Sequence, residues 1–260
     1  MRSGLQLPLL GVGALRLAWR NFMVWKKLIA AGLLMHILEP LMYLLALGYG
    51  LGFFIREISG MTYLSFLASG IMVSSTMMTA SFESMFSAFS RLDQQRTYES
   101  LLATPLTVDD IAAGELLWSA SKSFISGTGI LLVAMALGAI EGWRSLLALP
   151  VIFLIGLMFA AMALNITALA KRWDFFQFYL TLFLTPMVLL SGVFYPVASL
   201  PGWLQILVYW LPLAHAIEVV RPLLTGQPVQ GLLLHLTVMG GYLLLFWYSA
   251  TVLMRRRLFV

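Results

Sequence analysis

Residues 146–170 read LLALPVIFLIGLMFAAMALNITALA, a run without a single Asp, Glu, Lys or Arg. A helix needs about 20 mostly apolar residues to cross the hydrocarbon core of a bilayer. The whole chain has the same character, because 61% of its 260 residues are hydrophobic, only 10% are charged and the mean hydropathy is +0.92. A soluble domain carries about 25% charged residues. The sequence therefore predicts an all-α integral membrane protein.

Five further stretches are of the same kind, so we expect six membrane-crossing helices. Their predicted bounds are 28–52, 61–88, 111–140, 146–170, 175–198 and 231–254. A seventh apolar stretch, 200–224, differs because Pro201, Pro212 and Pro222 interrupt it, and each proline removes a backbone donor. We expect short helices there that dip into the outer leaflet and return, within an outer re-entrant region at 199–230.

The basic residues are divided unevenly between the two sides of these crossings. Only Arg56, Arg144 and Arg221 fall on one side, so 13 of the 16 Lys and Arg fall on the other. Loops rich in Lys and Arg stay in the cytoplasm, which places both termini there. The net charge of +5 thus reports topology, and no nucleic-acid partner is expected. The absence of Cys excludes disulfides, Cys-ligated zinc and thiol catalysis, and no other metal site is expected.

Residues 1–27 are expected to form a cytoplasmic N-terminus, followed by a single transmembrane domain at 28–260. One helical face of this N-terminus is apolar and aromatic: Leu15, Ala18, Trp19, Phe22 and Trp25. Arg16, Arg20 and Lys27 fall on the opposite face. This pattern is typical of an amphipathic helix that lies in the membrane interface against lipid head groups, and the alternative is a simple extension of the first crossing.

Acidic groups inside the membrane are costly and are functional by default. Glu39 lies midway in the first crossing, with His36 and Tyr43 on the same helical face. These three side chains are candidates to line a substrate path. They could instead form a structural hydrogen bond to a neighbouring helix, with Pro40 as a kink. Glu83, at the inner end of the second crossing, could gate the cytoplasmic entrance or simply reach the interface.

The predicted outer end holds a second group of candidates. Glu218 and Arg221 are three residues apart and are expected to pair, more for structure than for substrate binding. His235 stands alone on the last crossing, which favours a hydrogen-bonded helix contact. The outer aromatic residues are Tyr195, Trp203, Tyr209 and Trp210. They favour an interfacial aromatic belt, although such rings can also stack on sugars.

The longest predicted cytoplasmic connection is the loop at 90–110. Pro105 is expected to end a short polar helix, and Thr107 can cap the next helix with Asp110 three residues on. The loop is therefore predicted as a short helix, a break and a restart. Such a helix across the ends of two crossings is suited to be a lever for a soluble partner, and an ordinary solvated connector is the alternative.

Several segments resemble one family, the permeases of type-2 ABC exporters, and the resemblance covers about residues 19–258. Residues 96–106, RTYESLLATPL, resemble the first cytoplasmic loop of that family. Three later stretches of this chain resemble the outer re-entrant region of that family: LSGVFYP at 190–196, LPGWL at 200–204 and LPLAH at 211–215. Three stretches resemble one branch of the family, the nodulation-factor (lipo-oligosaccharide) exporters: ASFES at 80–84, GELLWSASK at 114–122 and WDFF at 173–176.

The resemblance implies a multi-pass permease of the bacterial inner membrane that is not catalytic itself and that works as a homodimer. Each copy would dock on a separate ABC ATPase subunit, two in all, with ATP and Mg²⁺ bound by the ATPase. This chain has no G-x-x-x-x-G-K-[ST] phosphate loop of its own. The implied cargo is an amphipathic lipid-linked or glycolipid substrate that moves outward. The implied ATPase-coupling residues are Arg91, Asp93, Arg96, Tyr98, Glu99 and Leu102.

Three other functions remain open from the residues. Close relatives of such permeases export drugs or other hydrophobic small molecules. An ion-coupled secondary transporter would need an intramembrane charge relay, for which only His36 and Glu39 are candidates. A lipid-modifying membrane enzyme would need a cluster of polar catalytic groups at one interface, and the predicted outer loops carry few acids or bases.

Overall fold

The computed structural model describes residues 6–9, 11–27, 29–140 and 142–258, with the side chains of residues 30–37 outside that set. The structure is nearly all-α, with about 79% of its residues in helices. The helices are α1 (Val12–Lys26), α2 (Ile29–Gly50), α3 (Tyr63–Phe82), α4 (Thr97–Leu102), α5 (Val108–Ala136), α6 (Ala148–Leu169), α7 (Asp174–Tyr179), α8 (Thr185–Leu190), α9 (Gly202–Val208), α10 (Pro212–Thr225) and α11 (Leu232–Leu258). Strands β1 (Glu57–Ile58) and β2 (Met61–Thr62) form an antiparallel hairpin between α2 and α3.

Several shorter helical turns complete these elements. The π turns are Glu83–Ser87, Ser90–Gln94 and Leu180–Leu184, and the 3₁₀ turns are Trp143–Leu147 and Val197–Ser199. The first two π turns extend α3 into one helix of 32 residues that ends at Gln94. The third joins α7 to α8. A π turn inserts an extra residue into the helical ladder, often at a functional site.

Four of the described helical segments are long and apolar enough to cross a membrane. They are Tyr63–Gln94, Val108–Ala136, Trp143–Leu169 and Leu232–Leu258. The bent pair α9–α10 makes a fifth if it is one span. The predicted first crossing corresponds to α2, part of which lies outside the described side chains, and the predicted fifth corresponds to the shorter apolar helix Asp174–Leu190. The fold is therefore an all-α membrane fold as predicted, and the number six stays a prediction.

Two of the three prolines in the seventh apolar stretch break helices as predicted. Pro201 precedes α9 and Pro212 is the first residue of α10, and the two helices meet at 88°. The expected third break is wrong, because Pro222 lies inside α10. Only one further turn follows Pro222 before Gly226, whose φ of +71° ends the helix, so few backbone bonds are lost.

The centre of the bundle is α6, which packs against α3, α5 and α11. Small residues permit the close approach: a Cβ at Gly156 would lie 3.0 Å from the backbone of Ala120 in α5. Buried hydroxyl groups join the same helices, since Thr167 donates to the Ser84 carbonyl at 2.6 Å and Ser84 to Ser119 Oγ at 2.8 Å. Small residues and interhelical hydrogen bonds of this kind hold helices together in lipid, where the hydrophobic effect does not drive helices to associate.

Helix α1 lies against α5 through a face made of Ala14, Leu17 and Asn21. Gly114 of α5 admits it, because a Cβ there would lie 2.7 Å from Leu17 Cβ. The side chain of Trp19, on another side of α1, is 63% exposed. The helix is thus present and carries an exposed apolar surface, and its place in a membrane interface stays a prediction.

Candidate functional site

The predicted loop at 90–110 is built as a short helix between two turns. Arg96 takes a left-handed backbone, with φ of +48°, which ends the extended α3 and turns the chain into α4. At the other end, Thr107 Oγ1 accepts from the Asp110 amide and the Asp110 carboxylate accepts from the Thr107 amide. The break and the capping box are confirmed. The short helix itself is Thr97–Leu102, and Arg96 separates it from the π turn that ends at Gln94.

Only part of this loop faces outward. Asp93, Arg96 and Glu99 are exposed, and Leu102 is half-buried. Tyr98 is fully buried in a cluster with Leu17 of α1, Ile111 of α5 and Met254 of α11. One side of α4 is therefore fixed to three other helices while the other side is free to contact a partner.

Behind α4 lies a group of four charged side chains, Glu83, Arg91, Glu115 and Lys122, which we call the acid–base cluster. Arg91 Nη2 lies 2.6 Å from Glu115 Oε2 and 3.1 Å from Glu83 Oε1. Lys122 Nζ lies 2.8 Å from Glu83 Oε2. Both carboxylates are buried, with Glu115 0% and Glu83 4% exposed. Two acids and two bases balance, and a buried charge needs this compensation.

Neutral donors complete the acid–base cluster. Trp118 Nε1 donates to Glu83 at 2.8 Å, and Asn21 Nδ2 donates to Glu115 at 3.1 Å. The cluster thus links α1, the π-turn end of α3 and α5. Burial raises the pKa of the Tyr98 hydroxyl well above its usual range, and the charge of Glu115 acts on it in the same direction. Tyr98 therefore stays neutral, and α4 contacts the cluster through it.

A separate ion pair joins α11 to α5 at the same end of the bundle. Arg255 near the end of α11 donates to both oxygens of Asp109 at the start of α5, at 2.7 Å each. Arg257 donates to the carbonyls of Thr167 and Ala170, where α6 ends. We call this part of the molecule, which holds α1, α4 and the last turns of α11, the charged end. Its arginines are structural contacts as well as carriers of the positive charge.

The substrate path expected at His36, Glu39, Tyr43 and Glu83 stays a prediction. Glu39 is exposed, Tyr43 is 50% exposed, and Pro40 between them is buried. The side chain of His36 lies outside the described residues. Glu83 does not reach outward to an interface, because it is a buried member of the acid–base cluster.

At the opposite end Glu218 and Arg221 do not form the direct ion pair predicted from their spacing, although the charge of Glu218 acts on Arg221. Glu218 is exposed, whereas Arg221 turns inward and lies over the Phe66 ring, 3.7 Å from its centroid. Its Nε donates to Ser69 Oγ at 2.9 Å and its Nη2 to the Gly192 carbonyl at 2.7 Å. The arginine therefore fixes α10 to α3 and to the turn after α8.

His235 is hydrogen-bonded as predicted but is not alone. Its Nδ1 lies 2.7 Å from Nδ1 of His215 in α10, and Nε2 of His215 lies 2.9 Å from the Tyr209 carbonyl. Two facing nitrogens share one hydrogen, so one ring donates and the other accepts. Both rings are buried, and the pair joins the bent α9–α10 segment to α11.

The outer aromatic residues are mostly exposed, as either a belt or a sugar-stacking surface requires. Trp203 is 65% exposed, Tyr209 66% and Trp210 72%. Tyr195 is half-buried and donates its hydroxyl to the Leu189 carbonyl at 2.7 Å.

Sequence reasoning missed Glu115 and Lys122 as members of the acid–base cluster, and Asn21 and Trp118 as the neutral donors beside it. One signal was available: Glu115, Trp118 and Lys122 repeat at helical spacing on one face of an apolar helix. That pattern indicates a buried polar face. It cannot identify Asn21 or Arg91 as partners, because they are on other helices.

The sequence model of the ABC-2 type transporter family matches residues 14–225. Over 97% of each chain, the sequence is 43% identical to Nodulation protein J of Rhizobium leguminosarum bv. viciae. It is 45% identical to Nodulation protein J of Rhizobium meliloti, over 92% of this chain and 91% of that one. It is 27% identical to the inner membrane transport permease YadH of Escherichia coli, over 70% and 71% of the two chains. No solved structure matches.

The family match and the apolar helices make the chain a multi-pass integral membrane protein of the bacterial inner membrane and a component of a transport system. The family also implies partnership with an ABC ATPase subunit. The resemblance found in the sequence is confirmed, and this chain belongs to the ABC-2 type transporter family.

Proposed function

We propose that this chain is the permease subunit of an ATP-driven exporter, and that α4 is the element through which the ATPase moves it. The observation that carries the proposal is the two-sided character of α4. Exposed charges at Glu99 in α4, and at Asp93 and Arg96 just before it, suit a soluble partner. Buried Tyr98 of α4 sits beside the acid–base cluster. A push on α4 would reach α1, α3 and α5 through that side chain and the charges behind it.

The test is a charge reversal on the exposed side of α4. Glu99→Arg should keep the fold, because Glu99 is exposed, but lower substrate-stimulated ATP hydrolysis severalfold through like-charge or mismatched contacts. Arg144→Glu, an exposed reversal outside the charged end, is the matched control and should leave hydrolysis unchanged. Wild-type assembly and hydrolysis with Glu99→Arg would refute the docking role of α4.

The proposal requires the charged end to face the cytoplasm, which 13 of the 16 Lys and Arg favour. The cysteine-free chain makes the test direct. Ser100→Cys, in α4, should react with an impermeant thiol reagent only after the cells are permeabilised. Ser199→Cys, exposed in the outer re-entrant region, should react in intact cells. The reverse pattern would overturn the topology and the docking role together.

We propose a homodimer as the working unit, with each copy on its own ATPase. The position of Glu39 supports a dimer, because an exposed carboxylate midway along an apolar helix must face protein or a water-filled cavity rather than lipid. Leu38 and Met42 beside it are also exposed, at 46% and 57%. A second copy would cover this face and place Glu39 and Tyr43 along a path between the two. Cross-linking of Met42→Cys between copies tests this arrangement.

The proposed cargo is an amphipathic, lipid-linked or glycolipid molecule, with drugs or other hydrophobic compounds as the alternative. The resemblance to the lipo-oligosaccharide exporter branch supports the first, and so does the relatedness to Nodulation protein J. Stimulation of ATP hydrolysis in the purified complex by a bacterial glycolipid extract, and not by a panel of hydrophobic drugs, is the expected result. Stimulation by the drugs alone would reverse the assignment.

A further inference from the structure

A cavity of about 360 Å³ opens at the charged end, between α1 and the π-turn end of α3. Arg20 and Asn21 line it from α1, and Ser87, Ser90 and Arg91 line it from the other side. It therefore joins the exposed surface of α1 to the edge of the acid–base cluster, because Arg91 belongs to both.

Two guanidinium groups give the cavity unused donors. Arg91 reaches Glu83 and Glu115 through Nη2, while its buried Nε has no hydrogen-bond partner in the part of the chain that the structure describes. Arg20 is half-exposed and donates from Nη1 to Asn21 Oδ1 at 3.0 Å, which leaves its other N–H groups available. Guanidinium groups bind phosphate and carboxylate oxygens strongly because their bonds are charge-assisted.

The cavity also has an apolar border. Val24 of α1 lines it and is 57% exposed, and Phe86 lines it from the α3 side. On the same helix, Trp19 is 63% and Met23 46% exposed, and Lys26 is exposed at its end. An amphipathic helix with basic and aromatic side chains is suited to the boundary between head groups and acyl chains.

We infer that this cavity binds the anionic head group of a membrane lipid, with the acyl chains along the Val24 side of α1. Basic pockets between helices at a membrane surface are recognition sites for acidic phospholipid head groups. The head group would contact Arg20 directly and meet Arg91 at the edge of the acid–base cluster. The inference goes beyond the proposed function and does not depend on the cargo or on the ATPase.

The test is lipid binding to the full-length chain in neutral detergent. Phosphatidylglycerol should raise the midpoint of thermal unfolding and stay bound in native mass spectra, whereas phosphatidylcholine should not. Arg20→Gln should weaken phosphatidylglycerol binding by about tenfold, as expected for the loss of charged hydrogen bonds. Arg16→Gln, one turn earlier on α1 and outside the cavity, is the matched control and should bind as wild type does.

Three results would overturn the inference. The first is equal binding of both phospholipids, and the second is equal loss in Arg16→Gln and Arg20→Gln. The third is equal binding by free glycerol phosphate, which would keep an anion site but remove the membrane lipid as its source. An unchanged unfolding midpoint of Arg20→Gln without lipid shows that any loss of binding is not a loss of fold.

Discussion

The two ends of the bundle each bury an arginine, and they compensate it differently. At the charged end Arg91 contacts two carboxylates, Glu83 and Glu115. At the opposite end Arg221 contacts a hydroxyl group, backbone carbonyls and the face of the Phe66 ring. The first arrangement cancels charge with charge, and the second surrounds a cation with neutral acceptors and a π system.

The difference shows what each arginine holds in place. Carboxylates on separate helices make the charged end a set of ion pairs between helices, as the proposed movement of α4 with a partner would require. Carbonyls become available at the opposite end because the backbone leaves helical geometry at Gly192, where φ is +84°. Arg221 thereby satisfies free acceptors that would be costly inside a membrane.

The comparison predicts its largest effect at Glu115. Glu115→Gln leaves Arg91 and Lys122 with one carboxylate between them, in a site where Glu115 is 0% exposed. Breaking a buried pair on one side costs about 3–5 kcal/mol of unfolding free energy. Denaturant unfolding of the purified chain measures it.

The double variant Glu115→Gln with Arg91→Gln restores charge balance, so it should lose less stability than the sum of the two single changes. Glu57→Gln, in the exposed hairpin, is the control and should unfold as wild type does. Strict additivity in the double variant would show that Arg91 and Glu115 do not compensate each other.

Loss of Arg221 should cost less. Arg221→Met leaves Ser69 Oγ and the Gly192 carbonyl without this donor, but Glu218, the acid whose charge acts on Arg221, is exposed rather than buried. The expected loss is about 2 kcal/mol, the range for buried neutral groups that lose their partners. The same denaturant unfolding applies, with exposed Arg144→Gln as control. A loss as large as that of Glu115→Gln would mean that the neutral contacts of Arg221 stabilise the fold as much as the ion pairs of Arg91 do. The proposed difference between the two ends would then be wrong.

The features predicted correctly from the sequence are local. The capping box at Thr107 and Asp110 spans three residues, and the breaks at Pro201 and Pro212 follow from the missing amide of each proline. The same rule failed at Pro222, because the energetic cost of a proline inside a helix depends on how many helical turns follow it. The composition alone was enough to predict that the chain is an integral membrane protein.

The candidate site was harder to predict because its contacts are non-local. Glu83 and Lys122 are 39 residues apart in sequence, and Asp109 and Arg255 are 146 apart. Sequence spacing reports neighbours on one helix and cannot choose partners between helices. The Glu218–Arg221 prediction failed for the converse reason: suitable spacing was present, but Arg221 had better acceptors in α3 and at Gly192.

The histidine pair should show a smaller effect than either arginine. His235→Phe keeps a ring of similar size but removes the bond to His215 Nδ1, at a cost of about 1 kcal/mol for a neutral hydrogen bond. Amide hydrogen exchange should rise mainly in α10. Thr237→Val, which alters an exposed side chain two residues later, is the control. Uniform exchange across the bundle would deny that the pair joins the bent segment to α11.

The smallest stability effect is expected at Glu39, and it separates structural from transport roles. Glu39→Gln removes a charge that is exposed in the single chain, so the unfolding midpoint should stay at the wild-type value. Export should fall, because the proposed path between two copies would lose its acidic group. Glu83→Gln is the contrast: Glu83 is 4% exposed and accepts from Arg91, Lys122 and Trp118, so stability and export should fall together. Wild-type export by Glu39→Gln would remove Glu39 from the path and leave the acid–base cluster as the part of the molecule where charge matters.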